Sequence, residues 1–164
     1  MAEKSEQVAV ELPEWVTRPL SDIPTLADKG ELSGEAARIQ EVLDRYSRAT
    51  VERDLPEVER CFITNDDFLI VESSYPNFGW NDFKKNHLIP ELEEIEDIQH
   101  KADVIQAFVT SELAYAVFKY KASGVNKGNR RTMEGLGTAV LVPTDEGWKI
   151  RHWATCSRRP PMAH

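Results

Sequence analysis

Apolar positions in this chain follow a helical period in the first half and a period of two in the second. Ile39, Leu43, Tyr46 and Thr50 share one helical face, Val42 and Ala49 widen it, and Arg and Glu fill the other side. This predicts an amphipathic helix over "GEAARIQEVLDRYSRATVERD", with Ser33 as its N-cap. "LPEVERCF" predicts a second, short helix with Pro56 in its first turn. "DDFLIVES" reads as a short strand and "SYPNFG" as a loop. "WNDFKKNHLIPELEEIEDI" is helical on either side of Pro90, whose missing N–H and bulky ring should kink or break it.

Beyond residue 98 the alternation takes over. "QHKADVIQAFVT" and "LAYAVFKYKA" predict two strands joined by a turn near Ser111 and Glu112. "GVNKGN" is a turn by composition. "RTMEGLGTAVLVP" predicts a third long strand, with Gly135 and Gly137 marking a bulge or a sharp bend. "TDEGW" turns into a last strand, "GWKIRHWATCSRR". Its alternation puts Trp148, Ile150, His152, Ala154 and Cys156 on one face and Trp153 on the other. Helices first and strands afterwards predict an α+β fold, with helices packed on one face of a strongly curved sheet and space for a cavity between them. Residues 1–32, with three prolines in "ELPEWVTRPLSDIPTLADKG", form an N-terminal arm. That arm either hangs free or packs Trp15, Val16, Leu20, Ile23 and Leu26 on the domain or a second subunit. The domain spans 33–158, and 159–164 is a tail.

Composition narrows the function classes. The 164 residues suit one domain, large enough to fold without a metal or disulfide. A net charge of −8 argues against non-specific binding to nucleic acid or to an anionic membrane. Cys61 and Cys156 form no CxxC pair; they fit free thiols in a reducing compartment, with a single disulfide as the alternative. "MAEKSEQVAVELPEW" holds no apolar leader core and no run reaches the ~18 residues of a membrane span, so a cytoplasmic location is expected. No GxSxG elbow, P-loop, GxGxxG or EF-hand loop occurs, and no cofactor is expected.

The order and spacing of several stretches carry a resemblance. They are "IQEVLDRYSRATVERDLPEVERCF", "DDFLIV", "GWNDFKKNHLIPEL", "ELAYAVFKY" and "GLGTAVLVPTDEGWKIRHWATCSRR". Over about residues 34–158 the chain resembles the NTF2-like superfamily, and within it the SnoaL-like and DUF4440-type proteins. The resemblance implies a cone-shaped α+β fold, a pocket between helices and sheet, and a homodimer through the outer face of the sheet. Its members include ketosteroid isomerase-like isomerases, cyclases and dehydratases, and also binding domains. The fold therefore does not name the function. The closing strand of this group often reads Trp-x-Ile-x-His-x-His-x-Ser. Here Trp148, Ile150 and His152 keep the pattern, and Ala154 replaces the second histidine.

Candidate chemistry follows from both sources. His152, on the more apolar face of the last strand, is the first candidate for a general acid or base, since an imidazole titrates near working pH. Its structural alternative is a neutral ring bonded to a backbone carbonyl. His87, on the helix that the resemblance lays over the pocket mouth, is its companion. Glu91 lies four residues on, and His87, His152 and Glu91 are the ligands expected if a metal binds at all. Tyr46 would donate a hydrogen bond to a developing oxyanion, as the resemblance to ketosteroid isomerases implies. Glu72 and Glu134 are carboxylates that could face inward. Phe78, Trp80, Phe118 and Tyr120 are candidates for an aromatic wall against an apolar ligand. His100 and His164 read as solvent groups. The expected function is an isomerase, cyclase or dehydratase acting on a small apolar molecule with a carbonyl or hydroxyl. The alternative is a non-catalytic binding or dimeric assembly module.

Overall fold

The computed structural model describes residues 13–158. The outer part of the N-terminal arm, the C-terminal tail and His164 lie outside the described residues. A short helix α1 (Glu14–Thr17) and a 3-10 turn (Leu20–Asp22) precede the long helix α2 (Gly34–Glu52) and α3 (Leu55–Arg60). A hairpin of β1 (Leu69–Glu72) and β2 (Tyr75–Phe78) follows, then α4 (Trp80–Phe83), a π turn (Lys84–Leu88) and α5 (Ile89–Glu94). Four long strands complete the chain: β3 (Glu96–Val109), β4 (Ala114–Asn126), β5 (Asn129–Thr144) and β6 (Gly147–Arg158). The sheet order is β2-β1-β6-β5-β4-β3. It is mixed, because β1 runs parallel to β6 while every other pair is antiparallel.

The helix stripe read from the sequence is the buried face of α2: Ile39, Leu43, Tyr46, Ala49 and Thr50. Ser33 occupies the N-cap position, but its side chain makes no capping bond. At the other end Arg53 takes the left-handed conformation and stops the helix. Its guanidinium donates to the carbonyls of Leu92 and Ile95, the open end of α5. One side chain therefore ends α2 and anchors α5, fixing the spacing between the two helices that flank the cavity. α3 has a working cap, since Asp54 Oδ1 accepts from the Glu57 N–H at 3.1 Å.

Three local expectations are corrected. "SYPNFG" is not a loop: a two-residue turn at Ser73 and Ser74, both at positive φ, pairs β1 with β2. Pro90 does not break its helix. It sits in the first turn of α5, and the preceding turn widens to π geometry, which makes room for a ring that lacks a donor. Gly135 and Gly137 do not mark a bulge, for β5 keeps register with both neighbours there. They permit close approach instead: a Cβ on Gly135 would lie 2.1 Å from the Cys156 carbonyl oxygen, and one on Gly137 2.3 Å from the Phe118 ring. The bulge falls further along, where Val140 and Leu141 pair with His152 and Ile150 and leave Arg151 as the extra residue.

Residues 19–32 wrap from the outer face of the sheet to its edge. The Lys119 ammonium donates to the Leu20 and Ile23 carbonyls. The Leu26 N–H donates to the Val104 carbonyl on the free edge of β3, and the Leu26 side chain joins the core. The buried Gln40 amide closes the same edge, donating to the Ala102 carbonyl and accepting from the Val104 N–H. These contacts satisfy backbone groups that an edge strand would otherwise present for pairing.

Candidate active site

Inward-facing residues of β1, β3, β4 and β6 divide the interior into a filled part and a hollow part. At the filled end Phe62, Phe68, Trp80 and Phe83 pack ring against ring at 5.3–6.3 Å. At the other end lies a cavity of about 610 Å³, within the range of small-molecule sites. Tyr46, Trp153, Tyr120, Ile95 and Ile98 give it apolar walls, and Glu72, His87, Glu91 and His100 place ionisable groups on it.

His87 is held by three partners. Its Nε2 lies 3.1 Å from Glu72 Oε2 and 3.5 Å from Glu91 Oε2, and its Nδ1 lies 2.9 Å from Asn77 Oδ1. Phe83 packs against the ring at 5.1 Å between centroids. The hydrogen bonds that His87 donates to Glu72 and then to Glu91 outweigh burial and push its pKa up to about 10. At neutral pH it is an imidazolium. Both ring nitrogens then donate, which matches the three oxygen acceptors around it. The helix continues through Pro90, so Glu91 returns to the face of His87 one turn on.

His100 lies on the inward row of β3 with Ile98, Ala102 and Val104. It is not a solvent group. The Ser47 hydroxyl lies 2.7 Å from its Nδ1, and its ring packs against Tyr46 at 5.3 Å. Burial lowers its pKa, with the Glu91 charge opposing. Two histidines on one cavity thus hold opposite states, one charged and one neutral. The Tyr46 phenol is also buried, and burial, with Glu72 and Glu91 adding, pushes its pKa up, so it stays protonated and can donate. Tyr120 is raised by burial too, with Thr155 and Ser157 hydroxyls as opposing hydrogen-bond partners.

The cavity brings together His87, Tyr46, Glu72, Tyr120 and Glu91 among the residues singled out from the sequence. It does not include His152. The bulge at Arg151 reverses the alternation of β6, so Ile150 faces in before it and Trp153, Thr155 and Ser157 face in after it. His152 is left on the outer face, with its Nδ1 2.8 Å from the Leu69 carbonyl oxygen. The pair His87 and His152 therefore shares no site. Among the described residues no group of three His, Cys, Asp or Glu side chains is arranged to hold a metal ion. Glu134 alternates with the cavity-lining Met133 and points outward. Phe78 is 71% exposed on β2, Trp80 is buried in the filled end, and Phe118 stacks behind Trp153 at 4.4 Å without lining the cavity.

Three contributors went unread in the sequence. His100 had a signal, because alternation places it in phase with Ile98, Ala102 and Val104. Ser47 follows Leu43 by one turn on the buried stripe of α2, which was readable as well. Asn77 had none, since its role depends on a hairpin hidden in an apparent loop.

The SnoaL-like domain model matches residues 39–156. No curated protein matches the chain. Among solved structures, an NTF2-like superfamily protein from Salmonella enterica serovar Typhimurium superposes with a TM-score of 0.69 at 18% identity, covering 76% of this chain and 92% of that one. A ketosteroid isomerase-like protein from Erwinia carotovora atroseptica gives 0.62 at 17% identity, covering 78% and 99%. An NTF2-like protein of unknown function from Shewanella oneidensis gives 0.57 at 16% identity, covering 75% and 99%. At these identities the structures speak to the fold, an α+β NTF2-like cone with helices on a six-stranded mixed sheet.

Proposed function

The chain belongs to the SnoaL-like domain family, within the NTF2-like superfamily, and from that premise we propose that its cavity performs general acid–base chemistry on a small apolar molecule bearing a carbonyl or hydroxyl, as an isomerase, cyclase or dehydratase. The observation that carries the reading is the imidazolium of His87 set between Glu72 and Glu91 on the wall of the cavity. A carboxylate paired to a fixed cation can take a proton, and the cation can return one to a leaving oxygen, within one small volume. Either carboxylate is placed to act as the base, Glu72 at 3.1 Å and Glu91 at 3.5 Å from His87 Nε2. Tyr46 is the donor toward an oxygen that gains negative charge.

A second reading has its own observation. Three bonds immobilise His87, which equally suits the fixed lining of a non-catalytic ligand-binding pocket. A panel of enolisable ketones and β-hydroxy ketones separates the two. Acid–base catalysis predicts turnover that falls ~10²–10⁴-fold in His87→Gln and Glu91→Gln, and that stays unchanged in His152→Ala. Ligands that bind without turnover favour the binding module.

For assembly, the reading is a homodimer through the outer sheet face. Phe108 and Tyr115 stack there at 5.6 Å, with Phe108 54% and Leu136 37% exposed. Light scattering on the full chain decides it, and a single-subunit mass excludes the dimer.

A further inference from the structure

We propose that Arg131, at the mouth of the cavity, holds a carboxylate, so that the ligand is an amphipathic acid with its apolar body toward His87 and its anionic group at the opposite end. This rests on the reading of the cavity given above and adds a charged group to the substrate class assigned there.

Alternation along β5 places Arg131 on the inward row with Met133, and both line the cavity. The ladder between β5 and β6 closes at Glu134 and Arg158, so among the described residues β4 alone borders Arg131. Its partner on β4 is Gly124, and the space a side chain would take there is filled by Ile95: a Cβ on Gly124 would lie 2.3 Å from Ile95 Cγ2. The guanidinium thus has an apolar flank and no acidic one across the ladder. Tyr75, 77% exposed, and Met133, 51% exposed, line the cavity on the same open side.

Two neighbouring arginines differ here. Arg130 alternates to the outer side and is ion-paired with Asp97. Arg131 enters no ion pair or side-chain hydrogen bond among the described residues, and both carboxylates on the cavity are held by His87. The cavity therefore carries charge at two separated places. Glu72 is level in the sheet with Thr155 of β6, and Thr155 with Gly137 of β5. Arg131 is three inward positions on from Gly137, past Gly135 and Met133, which is about 20 Å along the strand. Ile95, Ile98, Ala122 and Met133 give the cavity apolar surface on the Arg131 side of His87. This layout suits an elongated molecule rather than a compact one.

Charge also sets the direction of binding. An acid placed at the His87 end would meet the like charges of Glu72 and Glu91, which already satisfy the imidazolium. At Arg131 the same group meets a planar fork of N–H donors, which matches two coplanar oxygens and a single negative charge. A phosphate dianion would leave one charge and one oxygen unmatched by that fork, so the geometry selects the carboxylate.

Calorimetry on the full chain with ω-phenyloctanoate and its uncharged amide tests this. Wild type should bind the acid about three- to fivefold more tightly than the amide, the size expected of a solvent-accessible ion pair. Raising NaCl to about 0.5 M should erase most of that difference. Arg131→Met should bind acid and amide alike, and Arg131→Lys should keep part of the preference. Arg130→Met, on the outer side, should keep all of it, which separates a contact at Arg131 from a general effect of net charge. A preference that survives Arg131→Met, or that Arg130→Met removes equally, overturns the inference. So does a wild-type chain that binds the acid no better than the amide, or that binds neither. Any of these leaves the acid–base reading standing, because that reading is tested by turnover of uncharged ketones. A preference for the acid that depends on Arg131, in a chain that turns over no ketone, overturns the acid–base reading and keeps Arg131 as the anchor of a binding pocket.

Discussion

The two ends of the interior are built from the same elements and differ in one respect. At the filled end, β1 contributes Ile70 and the helix after it contributes Trp80 and Phe83; at the hollow end, the same β1 contributes Glu72 and the same helix His87 and Glu91. α2 likewise supplies Ile39 and Leu43 to the core and Tyr46, Ser47 and Thr50 to the neighbourhood of the cavity. Moving one or two turns along an element thus exchanges side chains that fill space for side chains that hold protons. The filled end is the rigid support that lets the hollow end exist. A carboxylate and an imidazole can be aimed across open volume only when neighbouring residues are locked by packing.

The largest effect should come from breaking the filled end. Phe62 and Phe68 are almost fully buried; Phe68 sits in edge contact with Phe62 and with Trp80, and Phe62 packs tilted on Trp80. Phe68→Ala should destabilise the chain by about 3–5 kcal/mol in chemical denaturation, through lost apolar transfer and a residual void. By contrast Tyr120→Phe, at the hollow end, should change stability by about 1 kcal/mol or less while altering ligand affinity. Equal losses at both sites would mean that the cavity wall is packed as tightly as the core.

Next comes Arg53, the link between the two flanking helices. Arg53→Met removes the donors to the Leu92 and Ile95 carbonyls. It should cost about 1–2 kcal/mol and loosen Glu91 relative to His87, visible as a fall in the His87 pKa by NMR titration.

The two cavity histidines should give pH a signature with two slopes. The His87 pKa is raised to about 10 from 6.5, so its contribution to stability is complete below about pH 6.5 and is lost as pH rises through about 10. The His100 pKa is lowered from 6.5, so its contribution is present above that value and is lost as pH falls below it. Denaturation midpoints across pH should therefore decline on both sides of neutrality. Glu72→Gln should flatten the alkaline slope and leave the acid one, whereas His100→Phe should do the reverse. An alkaline slope unchanged by Glu72→Gln would remove that carboxylate from the account of His87.

The smallest effects belong to the outer face and the thiols. His152→Ala loses one bond to the Leu69 carbonyl and should cost about 1 kcal/mol or less. Both cysteines are free. Cys61 is buried with its thiol pushed up to about 11, whereas Cys156 is exposed. A maleimide should label Cys156 in the native chain and reach Cys61 only on unfolding.

Some of this site was legible along the chain. The helical stripe of Ile39, Leu43 and Tyr46, the four long alternating strands and the α+β order follow from periodicity, which is a local property of each element. Within that frame His87, Tyr46, Glu72 and Tyr120 were singled out and do meet on one cavity. What periodicity could not supply is phase after an interruption. One extra residue at Arg151 turns His152 outward and Trp153 inward, because side chains alternate strictly and a single insertion reverses every later position. A bulge of this kind is set by how β6 must coil against β5 and β1, a demand of the sheet as a whole. The widened turn before Pro90 is similar: the proline announced a break, but the π turn makes room for its ring and Arg53 holds the last carbonyls of α5, so the helix continues and returns Glu91 to His87. The amino-acid sequence determined which faces are apolar and which residue types could carry protons. The tertiary structure decided which of them face each other, because proximity across elements depends on register, bulges and helix spacing that no single element encodes.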